Sequence, residues 1–112
     1  MIWGKRRGAA APDDPACSLM NRYCQGDAEA FRDLYALLAP VVLADLASRG
    51  YEGERAAPLL EAAFLTLHRD RRLYVRGADP RPWLLAIARR HVLAAFERSV
   101  ARSSTKPRAV SA

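Results

Sequence analysis

The stretch RPWLLAIARRHVLAAFER, residues 81–98, restricts the fold more tightly than any other part of the chain. Trp83, Leu84, Ile87, Ala88, Val92, Ala95 and Phe96 recur at helical spacing and form one apolar stripe. Arg89, Arg90, Glu97 and Arg98 fall largely off that stripe. A helix of this kind anchors in a small core and offers guanidinium groups to a polyanion. The rest of the sequence supplies further helices to pack against it.

Asp14 followed by Pro15 is a helix start, with the carboxylate as N-cap and proline in the first turn. That helix is expected to run to about Gln25, with Leu19, Met20, Tyr23 and Cys24 inward, and Gly26 ends it. Asp27 caps a longer second helix whose stripe is Phe31, Leu34, Tyr35, Leu38, Val42 and Leu46, closed by Gly50. Pro40 lies inside this pattern and is expected to kink or split it near Ala39. Pro58 opens a third helix to about Asp70, burying Leu60, Ala63, Phe64 and Leu67. A loop from Arg71 to Pro82 follows, rich in arginine and carrying Tyr74, before the last helix begins at Pro82 or Trp83 and runs to about Arg102. The reading is all-α: a compact bundle of four to five helices over residues 14–102, a flexible arm at 1–13 and a disordered tail at 103–112. Phe31, Tyr35, Phe64 and Phe96 read as core, and Trp83 reads as a core anchor. Tyr74 suits a core role and a base-stacking role about equally.

At 112 residues the chain can bury one modest core. Charge is distributed unevenly along it. Residues 1–61 hold seven basic and nine acidic groups, whereas residues 62–112 hold eleven basic and three acidic ones. Sixteen of the 18 basic residues are arginine, whose planar fork suits phosphate and base edges. GC-rich coding explains much of the arginine excess but not the asymmetry, which points to two surfaces with different partners. Cys17 and Cys24 lie about 10 Å apart along one helix, too far for a disulfide, and read as buried thiols in a reducing compartment. His68 and His91 have no partner at metal-ligand spacing. No metal, cofactor or catalytic set is expected. The N-terminus lacks the apolar segment of a signal peptide, and no run of about 18 apolar residues would span a membrane. A cytoplasmic protein with no small-molecule substrate is expected.

Three phrases in order carry a family resemblance: GDAEAFRDLYALLAPVV, LLEAAFLTLHRDRRLY and RPWLLAIARRHVLAAFER. Together they resemble the second conserved region of extracytoplasmic-function (ECF) sigma factors. The resemblance implies that the helix with Leu60, Glu61, Phe64 and Leu67 docks on the clamp helices of RNA polymerase core. It implies that the loop Leu73–Arg81 captures a base flipped from the promoter −10 element. The helix from Trp83 onward would track the non-template strand through positions such as Arg89, Arg90 and Arg98. The physics agrees with those roles: unstacking a base costs a few kcal/mol. Stacking on Tyr74 would return about 1–3 kcal/mol. Arg76, Arg81, Arg89 and Arg90 offer phosphate contacts, and Arg98 and Arg102 extend that cationic surface.

The chain departs from the family in three places. The docking phrase, usually acidic–Leu–Val–Gln–Glu/Asp–Thr–Phe, reads Pro58-Leu59-Leu60-Glu61-Ala62-Ala63-Phe64 here, with its apolar skeleton kept and its polar residues changed. The last helix has Arg90 in place of an asparagine and Ala94 in place of an acid. That exchange trades directional readout for general phosphate attraction. Only about ten polar residues follow Arg102, too few for the family's −35-reading domain. Two readings follow. One is an initiation factor that binds polymerase and promoter DNA. The other is a degenerate sigma-like module that binds an anti-sigma factor or other protein without driving initiation. An unrelated partner-binding bundle is the third possibility.

Overall fold

The computed structural model of the chain describes residues 14–111. The arm expected at residues 1–13 lies outside them. Four α-helices form the fold: α1 (Pro15–Cys24), α2 (Ala28–Ser48), α3 (Ala57–Arg69) and α4 (Pro80–Ser111). Short 3-10 turns at Gly53–Arg55 and Arg71–Leu73 precede and follow α3. The all-α expectation is borne out.

Local chemistry sets the helix ends. The Asp14 carboxylate accepts from the Ala16 and Cys17 amides, and Asp27 accepts from those of Glu29 and Ala30. Between the two helices Gly26 takes φ 101°, a left-handed conformation that lets the Gly26 amide donate to the Tyr23 carbonyl at 3.0 Å. The Asp27 amide donates to the Arg22 carbonyl at 3.1 Å, so α1 ends with its last carbonyls satisfied.

α1 packs mainly on α2, and α3 on α4. Met20, Leu34, Leu38, Val42, Leu46, Leu67, Leu84 and Ile87 are fully buried at the centre. Polar contacts also join the helices. Thr66 on α3 meets His91 Nε2 on α4 at 2.8 Å, and the Tyr23 hydroxyl on α1 meets His68 Nδ1 on α3.

The structure corrects several expectations. The split allowed for at Pro40 does not occur: α2 is a single helix through it, and the ring of Pro40 is exposed. The proline leaves the Ala36 carbonyl without its usual donor, on a face where solvent can serve instead. α4 begins at Pro80 rather than Pro82, because Asp79 accepts from the Arg81 amide at 3.0 Å and caps it. α4 continues through Ser111. No glycine follows Gly77, so nothing in the sequence offers a left-handed stop. Phe96, expected in the core, is 58% exposed, because the full burial of α4 ends at Ala88. Tyr35 is 38% exposed, and Cys24, on the last residue of α1, is exposed rather than buried. Trp83 is half-buried against the core, as an anchor should be.

Candidate nucleic-acid interface and docking groove

Two concave sites lie on separate sets of residues. The larger is an apolar groove of about 660 Å³ between α1, α2 and α3. Its walls include Tyr23, Phe31, Tyr35, Leu60, Phe64 and Leu65, with Glu61 and His68 at polar positions. The aromatic rings form a connected cluster: Tyr35 and Phe64 centroids are 4.6 Å apart, and Phe31 meets Phe64 edge-on at 6.2 Å. Leu65 is 64% exposed and adds an accessible apolar tip.

Of the four docking residues expected from the sequence, Leu60, Glu61 and Phe64 line this groove. Leu67 does not, because it is fully buried and belongs to the core. The helical period puts Leu60, Phe64 and Leu67 on one inward stripe, and only the first two reach the edge where the stripe meets solvent. Tyr23, Phe31, Tyr35 and His68 were not expected here. No local signal marks them, since the groove exists only where three helices converge.

The second site, about 430 Å³, lies between the C-terminal half of α1 and the Arg71–Arg76 segment. Asn21, Cys24, Gln25, Arg71, Arg72, Tyr74 and Arg76 line it. Arg71 donates to the His68 carbonyl at 2.6 Å, whereas Arg72 and Arg76 make no ion pair among the described residues. The pocket therefore carries uncompensated positive charge beside an aromatic ring. Tyr74 and Arg76 both line this pocket. Arg71 and Arg72, read from sequence as a solvated helix end, join them because the 3-10 turn at Arg71–Leu73 folds the chain back over α1.

Tyr74 is held rather than free. Its hydroxyl donates to the Ala78 carbonyl and touches Cys17 Sγ at 3.7 Å, and its ring lies 6.1 Å from Trp83. Burial, followed by the Cys17 contact, raises its pKa well above the ordinary phenol range, so it stays a neutral donor.

The expected phosphate contacts divide into two groups. Arg81 is engaged: it reaches Asp79 at 2.8 Å and both Asp14 oxygens at 3.1 and 3.2 Å. Burial of Asp14 favours its protonated form. The Ala16 amide, the Arg81 guanidinium and the Cys17 amide outweigh that and hold its pKa below 3.8. Arg81 thus ties the start of α4 to the start of α1 and steadies the loop between. Arg89 makes a looser contact with Asp45 at 3.8 Å. Arg90, Arg98 and Arg102 are exposed on α4, with no carboxylate in ion-pair range among the described residues.

His91 registers the resulting field. Its own burial, then the charges of Arg90, Arg69 and Arg98, push its pKa below 6.5. The charges of three guanidinium groups thus act on one imidazole. No group of residues able to hold a metal ion occurs among the described residues. No helix among them is long and apolar enough to cross a membrane.

No family model matches the chain, and no solved structure matches it. The chain is similar to the RNA polymerase sigma factor CarQ of Myxococcus xanthus, with 42% identity over 69 residues, 62% of this chain. That alignment spans 40% of the relative, so the chain matches about two-fifths of that protein's length. The resemblance to sigma factors read from the sequence is thus borne out over the greater part of the chain.

Proposed function

We propose that this sigma-factor relative is a non-enzymatic transcription protein that binds RNA polymerase core through the α1–α3 groove and promoter −10 DNA through the pocket and α4. The observation that carries this reading is the pairing of two unlike surfaces on one small bundle. One is an aromatic groove edged by Glu61, and the other is a cationic pocket continued by the exposed arginines of α4. The groove suits a protein helix, because its apolar walls bury side chains while Glu61 offers one directional charge. The cationic surface suits a displaced single strand, whose phosphates need cations and whose bases need a pocket.

On this reading Arg76, Arg90, Arg98 and Arg102 contact phosphate. Arg89 joins them by leaving Asp45, an exchange that costs little because exposed ion pairs are weak. Arg81 positions the loop, and Tyr74 forms a fixed wall of the pocket. The protein would act in the cytoplasm, where polymerase works.

The test is capture of purified core RNA polymerase by the whole chain. Binding that Glu61→Arg weakens at least several-fold is the expected result. Phe64 is 3% exposed, so Phe64→Ala serves as a second variant only after its circular dichroism shows a folded protein. Absence of wild-type binding at low salt would remove the polymerase reading. The second reading would then stand: a sigma-like module that binds an anti-sigma factor or another protein. The replacement of the family's polar docking residues by Pro58, Ala62 and Ala63 favours it.

A further inference from the structure

One buried side-chain atom stands out in the cationic pocket. Asn21 Oδ1 is buried without a hydrogen-bond partner, the only such side-chain nitrogen or oxygen among the described residues. Leaving an amide oxygen unpaired costs about 1–3 kcal/mol, so its retention asks for a reason.

A chain of protons fixes which end of the amide is unpaired. The Tyr74 hydroxyl has one proton and gives it to the Ala78 carbonyl. Its contact with Cys17 Sγ at 3.7 Å then carries a proton only if the thiol donates it. With that proton spent, Cys17 Sγ meets Asn21 at 3.8 Å as an acceptor, so the amide nitrogen faces it. Asn21 Oδ1 is left as a buried acceptor on a residue that lines the pocket together with Arg71, Arg72 and Arg76. α1 and the loop thus set the amide through two residues, Cys17 and Tyr74, that are themselves fixed.

We propose that Asn21 determines base specificity in this pocket: its carbonyl oxygen accepts a hydrogen bond from the exocyclic amino group of a single-stranded nucleobase. The pocket arginines hold the flanking phosphates, and Asn21 selects adenine or cytosine over thymine or uracil. Thymine and uracil would set a carbonyl against the Asn21 oxygen, pairing acceptor with acceptor. Admission of the base requires the groups over Oδ1 to move aside, because that atom is buried. This inference rests on the nucleic-acid part of the function proposed above.

The experiment compares binding of fluorescein-labelled single-stranded dC10 and dU10 to the whole chain at low salt. The two oligonucleotides have the same backbone charge and differ at the pyrimidine 4-position, amino against carbonyl. The expected result is about five-fold tighter binding of dC10, the size of one net hydrogen bond. Asn21→Leu abolishes the difference, and Arg76→Ala weakens both oligonucleotides equally. Asn21→Ala removes the same oxygen from a helical site that tolerates alanine well, and serves if the leucine variant does not fold. Equal wild-type affinities, a preference for dU10, or a dC10 preference that survives both Asn21 variants would overturn the assignment while leaving phosphate binding intact. Failure to bind either oligonucleotide would overturn the nucleic-acid reading together with it.

Discussion

At the scale of single residues, charge and capping are shared by the same groups. Asp14 caps α1 and also holds Arg81, so its two roles separate by substitution. Asp14→Asn keeps the capping oxygen and loses only the ion pair, and should change stability by at most about 1 kcal/mol. Asp14→Ala loses both and should cost about 1–2 kcal/mol, read as the difference between the two urea unfolding curves. His91 gives a pH dependence with a definite sign. Its folded pKa lies below 6.5, so the unfolded chain takes up a proton more readily. Its contribution is complete above 6.5 and is lost as pH falls through the interval down to the lower folded value. The thermal midpoint should therefore drop on acidification below about pH 6.5. His91→Gln should flatten that slope while keeping a polar partner for Thr66.

At the scale of elements, α2 and α4 each break a local rule. Pro40 sits in the interior of a 21-residue helix and forfeits a backbone hydrogen bond. Because its side chain is exposed, Pro40→Ala should disturb no packing and raise stability by about 1–3 kcal/mol. A shift of the denaturation midpoint at unchanged slope would show it, and an unchanged midpoint would mean that the carbonyl of Ala36 is satisfied equally well by solvent. α4 holds 32 residues, but among those whose burial is described the fully buried positions end at Ala88. Leu93, Phe96 and Val100 continue its apolar pattern into solvent, at 56%, 58% and 47% exposure. The helical period was legible in those residues, but the length of the opposing helices was not.

At the scale of the whole molecule, the basic C-terminal half of the sequence supplies the exposed arginines of α4 and those that line the smaller pocket. Polyanion binding should weaken steeply with salt, because each phosphate neutralised releases a counterion. Arg90→Ala and Arg98→Ala should each reduce the slope of log affinity against log salt by about one. Arg81→Ala should instead lower thermal stability, with little change in that slope, since Arg81 is already neutralised by Asp79 and Asp14. A slope change at Arg81 equal to that at Arg90 would show that the ion pairs open when DNA binds.

The starts of α1 and α2 and most of the central core were decided locally, and so were legible in the sequence alone. An aspartate before proline caps a helix through atoms within three residues, and an apolar stripe repeats within a turn or two. The start of α4 at Asp79-Pro80 carried the same signature as Asp14-Pro15 and was legible in principle. Tertiary structure alone decided which cations remain available. Arg81 and Arg90 look alike in sequence, but Asp14 lies 67 residues before Arg81 and meets it only when α1 packs beside α4. The same holds for Asn21, whose unpaired oxygen follows from a proton chain through Cys17 and Tyr74, side chains 57 residues apart. Hydrogen bonds and ion pairs act over about 3 Å, so their partners are set by how the helices dock and not by spacing along the chain.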